Sequence, residues 1–357
     1  MRVMALIGLP GIASQRVVAV RAMALATAAA VLVAGPALAH GPAPAEPPTA
    51  SGLLLGWTIE PVPALGITAA LLWWRWAVGR VAVTHPGKPV PRRRSVAFAG
   101  GMAAIAVALM SGIARYDTTL FSVHMVQHIL LTLVAGPLIA LSAPITLVLR
   151  VASPATRRRW ILPLLHARVT RIATFPVVAW LLFAAVMWGT HFSPLFDAAL
   201  ENPLLHDFEH ALYLAAAVLF WAPAVALDPA PWRMTHPVRA LYLFLQMTQN
   251  SFLSVVLLNA QTVLYPHYAT VTRAWGPSPL ADQQLAAGIM WLAGDLIFLG
   301  AIMAIVADWA RAERRDTPRA DRQAATELAE IRVREERLAA RRAREAEDAQ
   351  SGSGVSR

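Results

Sequence analysis

The chain contains no cysteine, and this one absence removes several chemistries together. Disulfides, thiolate metal sites, redox CxxC pairs, covalent haem attachment and cysteine nucleophiles are excluded. Any metal ion would have to be held by histidine, methionine or carboxylate. Charge is also scarce, at 15% of 357 residues against 57% hydrophobic, where a soluble domain carries about a quarter charged residues. This is the composition of a membrane protein. Acidic residues are fewer than basic ones, 21 against 31, a balance that in a soluble protein would point to nucleic acid. Here the basic residues lie beside apolar runs, and nucleic acid drops out as a partner. No nucleotide-binding loop, serine elbow, HExxH motif or usable internal repeat is present.

What is there begins with a targeting pattern. Arg16 and Arg21 precede an apolar run from Ala22 to Ala34, and Ala37-Leu38-Ala39 forms a small-x-small cleavage site. Residues 1–39 therefore read as a secretory signal peptide, with His40 as the mature N-terminus, against the alternative of an uncleaved first span. A Pro-rich segment follows over 40–55. Seven further stretches are long enough to cross a bilayer as helices: 61–79, 96–114, 122–149, 175–190, 208–226, 240–260 and 284–307. The expected fold class is all-α, a bundle of seven transmembrane helices over 56–310.

Orientation follows from the connections. Arg80, Lys88, Arg92, Arg93 and Arg94 follow the first stretch, Arg150, Arg157, Arg158, Arg159, Arg168 and Arg171 the third, and Arg233 and Arg239 the fifth, whereas the alternate connections hold Arg115 and Arg273. The positive-inside rule then places the N-terminus outside a bacterial-type inner membrane and the C-terminus in the cytoplasm. The tail over 311–357 is rich in Arg and Glu and predicts a helix from Ala324 to Glu347, with Glu330/Arg334 as a favourable i,i+4 pair and Arg337/Arg341 as an unfavourable one. A solvated helix is its simplest reading. Docking to a partner or to lipid head groups is the sharper one.

This topology collects polar groups at the outer mouth. His124, His128, His191, His206, His210 and His267 fall there, with the acids Glu60, Asp117, Asp197, Glu201, Asp207, Glu209 and Asp282, while His85, His166 and His236 lie in cytoplasmic connections. His124/His128 and His206/His210 are i,i+4 pairs, each with its imidazoles about 6 Å apart on one helix face. Each pair can chelate one ion. The alternative is hydrogen bonding between helices, but strongly polar residues at membrane helix ends default to function. Imidazole suits zinc, copper, iron and nickel, and thioether sulfur favours Cu(I). Met110, Met125 and Met187 lie at similar depth, so copper is the expected ion, although each methionine alone also fits core packing. His40, as an N-terminus, could add an amine and a ring nitrogen.

Two other chemistries share these residues. His206-x-x-Glu209-His210 matches the inverted zinc-protease pattern, with Glu209 as general base. Histidines from two facing helices could also hold a b-type haem. Deeper in the bilayer, Asp295 is expected to hydrogen-bond the polar residues Gln246, Gln249, Asn250 and Ser254, or to serve a proton or ion relay.

Three ordered motifs carry a resemblance. The run His124-Met-Val-Gln-His128-Ile-Leu-Leu-Thr-Leu-Val-Ala-Gly-Pro-Leu-Ile-Ala-Leu-Ser-Ala-Pro144, the segment from His206 through Glu209-His210 to Leu219-Phe220-Trp221-Ala-Pro223, and Asp282-Gln283 through Gly288 to Trp291 resemble the signatures of the multi-span CtaG-type cytochrome c oxidase assembly factors. The resemblance covers about residues 53–310. It departs from the family pattern at Ala222, where a second Trp is common, and at Gly136, where a proline is common. It implies a non-enzymatic seven-span protein that serves copper insertion into cytochrome c oxidase, with oxidase subunits and the lipid bilayer as partners and a homo-oligomer left open. The family's histidines carry over onto His124, His128, His206 and His210, and its acids onto Glu209 and Asp282. His191 and Met125 complete the candidate metal ligands. An accessible outer site is expected, because a carrier must release its ion.

Overall fold

A computed structural model describes residues 44–353, and within them every regular element is helical. The signal-peptide reading of 1–39 and the role of His40 lie outside the described residues. The principal helices are α1 (Pro61–Thr84), α2 (Arg92–Met110), α3 (Phe121–Ile129), α4 (Gly136–Ser142), α5 (Pro144–Val151), α6 (Pro176–His191), α7 (Leu195–Glu201), α8 (Pro203–Val225), α9 (His236–Leu258) and α10 (Pro279–Ser353). Helices α1, α5, α6, α8 and α10 begin on proline. The first turn of a helix is where a missing N–H costs nothing.

All seven expected stretches are helical, and five or six candidate spans are shown among the described residues. Five helical runs are long and apolar enough to cross a membrane: Arg92–Tyr116, Phe121–Val151, Pro203–Val225, His236–Leu258 and Pro279–Arg315. A sixth arises only if α6 and α7, bent by 68° at their junction, are one broken span. Helix α6 has 16 residues, about 24 Å at 1.5 Å per residue and short of a 30 Å hydrocarbon core. Ser193 and Pro194 stop it, since a residue before proline is steered away from helical geometry. Helix α1 is long enough, but Arg75 and Arg80 interrupt its apolar run.

Small residues set the close approaches. Trp74 of α1 stacks on Phe98 of α2 with ring centroids 4.2 Å apart, above a core that includes Ala77, Val81, Ala104, Ala108 and Ala135. Alanines let helix axes come near where lipid supplies no hydrophobic drive. The Pro-rich N-terminal segment is packed as well. A Cβ on Gly112 would lie 2.2 Å from the Gly52 carbonyl oxygen, so only glycine admits this contact. Tyr116 and Trp275 donate to the backbone of Glu46 and Pro44 at 3.1 and 3.0 Å.

Between α3 and α4 the chain winds as a six-residue π-helix, Leu130–Ala135. In that register the N–H of residue 137 would bond to the carbonyl of Thr132, and Pro137 has none. Trp221 of α8 takes the place, its indole N–H donating to the Thr132 carbonyl at 2.9 Å. The wide turn thus ties α8 to the helix that carries His124 and His128. Gly136 is where the two segments press together, since a Cβ there would lie 2.9 Å from that of Ala217 and 3.1 Å from Trp221 Cδ1.

The deep polar residues of α9 and α10 find partners, though not the expected ones. Asp295 accepts from Ser251 at 2.9 and 3.1 Å, and Asn250 donates to the Met290 carbonyl at 3.2 Å. Gln246 bonds Gln249 within α9. Ser251 was not among the residues expected to meet Asp295, because its serine looks from sequence like any other short polar side chain. The tail helix expected over 324–347 is part of α10, which ends at Ser353. Among its described residues Arg341 pairs with Glu345 at 2.9 Å, exposed.

Candidate metal centre

Two helices present the histidine pairs, and each is started by a specific cap. Asn202 accepts from the N–H groups of Leu204 and Leu205 and begins α8. Asp282, on α10, accepts from the Phe121 N–H at 2.7 Å and the Ser122 hydroxyl at 2.5 Å and begins α3. With both starts fixed, His124 and His128 face His206 and His210. Ring centroids are 4.2 Å apart within each pair, 5.4 Å between His124 and His206, and 6.2 Å between His128 and His210.

The residues sort into two groups whose candidate ligand atoms lie within 4.8 Å of one another. One is His124, His128 and Glu209; the other is Asp117, His206 and His210. Each histidine pair therefore meets a carboxylate from elsewhere in the chain. All six side chains are buried, none more than 7% exposed. Both ring nitrogens of His124 and of His128, both carboxylate oxygens of Glu209 and Oδ1 of Asp117 have no hydrogen-bond partner. Buried polar atoms in native folds are nearly always paired, so a concentration of orphans points to something that completes them. Imidazole and carboxylate are suitable donors for a transition-metal ion, and either group could hold one.

A hydrogen-bonded strut joins the two helices beside the groups. The Gln127 amide donates to Asp117 Oδ2 at 2.8 Å and to the Ala108 carbonyl at 3.0 Å, and its Oε1 accepts from His210 Nε2 at 3.0 Å. His210 is thereby held as the Nε2-protonated tautomer. Burial pushes the Asp117 carboxyl up to about 7, although the Gln127 bond opposes the shift. Tyr213, one turn beyond His210, packs on His128 with centroids 4.2 Å apart. Its hydroxyl bonds Thr190 and lies 3.3 Å from Nδ1 of His191.

The remaining candidates are placed around this centre. His191 donates from Nδ1 to the Met187 carbonyl at 2.7 Å, leaving Nε2 buried and unpartnered outside both groups. Met125 is 1% exposed and lines a cavity of about 20 Å³ with His128, Met187 and Met290. Asp282 is outside both groups too, with its two oxygens occupied by the start of α3. His267 donates to the Thr118 carbonyl at 2.9 Å. In the sequence Asp117 is one outer acid among several, and nothing there assigns a role to Gln127, Tyr213 or Phe196. Tyr213 was findable, because positions 206, 210 and 213 share one helical face.

The centre is closed, not open as expected. Phe196 of α7, fully buried, packs on His124 at 5.0 Å, His191 at 5.5 Å and His128 at 6.3 Å between centroids. Tyr265 lies behind it at 4.5 Å. The break at Pro194 that shortens α6 is what turns α7 back to place this ring on the histidines.

Residues 70–312 match the family described as cytochrome c oxidase caa3 assembly factor (CtaG). The chain is 33% identical over 292 residues to uncharacterized proteins of Mycobacterium bovis and Mycobacterium tuberculosis, and 30% identical over 286 residues to one of Mycobacterium leprae. These alignments cover 80, 80 and 78% of the chain but 44, 44 and 43% of the relatives, so the chain spans less than half the length of the curated relatives it matches. No solved structure matches. With a family match over two thirds of its length and all three ordered motifs lying inside it, the chain belongs to the cytochrome c oxidase caa3 assembly factor family.

Proposed function

We propose that the chain is a copper carrier for oxidase assembly, holding its ion in the buried histidine and carboxylate centre and passing it to an oxidase subunit at the outer face of a bacterial inner membrane. The observation that carries this reading is the set of orphaned, buried donors on His124, His128 and Glu209. Neutral histidines with no partner and a carboxylate with none gain most from a cation, and copper is the ion that the destination enzyme class requires. His206, His210 and Asp117 extend the donor set. In this reading the chain's own part is binding and release, not catalysis.

Helix α1 and the bent α6–α7 pair serve as the two remaining spans, which restores seven and puts the mature N-terminus outside and the tail in the cytoplasm. Exposed Leu65, Leu71, Leu72 and Trp76 give α1 a lipid-facing side. Segments 1–39, 40–55, 56–310 and 311–357 are then signal peptide, outer Pro-rich segment, transmembrane domain and cytoplasmic tail. A buried centre needs a way to open, and in this reading the segment that moves is α7 with Phe196, seven residues held between two breaks.

Two alternatives fit less well. A porphyrin would need several hundred Å³, and the cavity against His128 has about 20. In a protease Glu209 would act on water bound by its own helix's histidines, whereas here it groups with His124 and His128. The test is elemental analysis of detergent-purified protein loaded anaerobically with Cu(I), beside a variant with His124, His128, His206 and His210 all changed to Ala. Stoichiometric copper, lost in the variant, together with reduced oxidase copper in a deletion strain, is the expected outcome. A folded wild-type protein that holds no metal would recast the chain as a scaffold.

A further inference from the structure

We infer that the centre takes two monovalent copper ions, one in each group, but only one divalent ion. The inference rests on the metal reading above and adds the number and charge of the ions. Each group is built the same way in reverse. His124 and His128 of α3 meet Glu209 of α8, and His206 and His210 of α8 meet Asp117, which precedes α3. Each carboxylate keeps at least one oxygen with no partner, both on Glu209 and Oδ1 on Asp117. Two separate donor sets, each with two imidazoles and one anionic oxygen, give two places for a cation.

Charge decides what can fill them. A carboxylate that ligates a metal ion does so as the anion, so a filled centre contributes one negative charge from Glu209 and one from Asp117. Two Cu(I) ions make it neutral, and so does a single divalent ion shared by the groups. Two divalent ions would leave two uncompensated positive charges among side chains no more than 7% exposed, where unpaired charge is strongly disfavoured. Among the described residues no other carboxylate joins either group. Asp282 already has both oxygens occupied by Phe121 and Ser122, and it faces Arg273. The imidazoles supply the bonds, and the carboxylates set the count.

The experiment is equilibrium loading of the full chain in detergent, anaerobically with Cu(I) and separately with Zn(II), with metal and protein measured after desalting. The variant lacking all four histidines serves as the blank. Two Cu(I) and one Zn(II) per chain are expected. Asp117→Asn and Glu209→Gln, both neutral and close in shape, should each lower Cu(I) from two to one. One Cu(I) in the wild-type chain, two Zn(II), or loss of both Cu(I) ions in either single variant would overturn the inference while leaving a metal centre in place. No metal of either kind would overturn the metal reading itself.

Discussion

Glu209 and Asp282 are two carboxylates buried to the same degree, each 1% exposed, and their surroundings differ completely. Asp282 has a backbone N–H on one oxygen and a hydroxyl on the other. Glu209 has nothing on either. Asp295 resembles the first, held by Ser251, and Asp117 lies between them, with one oxygen on Gln127 and one free. Burial therefore does not distinguish a candidate ligand from a structural acid in this protein. The missing partner does. A satisfied buried acid stabilises the fold as it stands, whereas an orphaned one costs free energy that the rest of the fold must offset until a cation arrives.

The comparison breaks most visibly if Asp282 is removed. Asp282→Ala strands the Phe121 N–H and the Ser122 hydroxyl at the start of α3, a loss of about 2–4 kcal/mol for two bonds to a charged acceptor. Thermal unfolding in detergent should show a clear fall in Tm, with metal content per folded chain retained. Asp282→Asn keeps one acceptor and should lose about half as much. An unchanged Tm in the Ala variant would mean that the cap does not hold the helix. Gln127 tests the middle of the scale. Gln127→Met removes the group that holds His210 and Asp117 in register but leaves every candidate ligand in place. Loss of such an orienting partner typically weakens metal binding about 10- to 100-fold, which competition with a Cu(I) chelator will read. Affinity unchanged within twofold would show that the strut orients nothing.

The sequence disclosed much of this centre and hid its decisive parts. Periodicity and spacing placed all four histidines on two helical faces, and depth put them at one end, because both are local properties of an apolar helix. Asp117 escaped notice as a group member because it sits in a turn, where sequence does not say which way a side chain points. Gln127 lies inside the first of the three motifs, but the sequence assigns it no role, since its three contacts come from three separate segments. The two remaining spans are hidden for a different reason. Length and composition alone cannot show that Pro194 would turn α7 back onto the histidines, nor that the same bend would close a site expected to be open.

The smallest effect sharpens the comparison furthest. Glu209→Gln in the metal-free protein replaces a carboxyl that makes no hydrogen bond with an amide of the same shape, so nothing that holds the fold together is removed. The amide must still be buried, and it too begins without a partner, but it carries no tendency to ionise in a place that disfavours charge. Its Tm should therefore lie within about 1–2 °C of the wild-type value, a change below about 0.5 kcal/mol. Adding Cu(I) should then separate the two proteins, because bound ligand raises Tm by mass action and the variant has one place fewer for it. A metal-free Glu209→Gln protein that melts as early as Asp282→Ala would place Glu209 among the structural acids, and the orphaned oxygens would no longer distinguish the two ends of the scale.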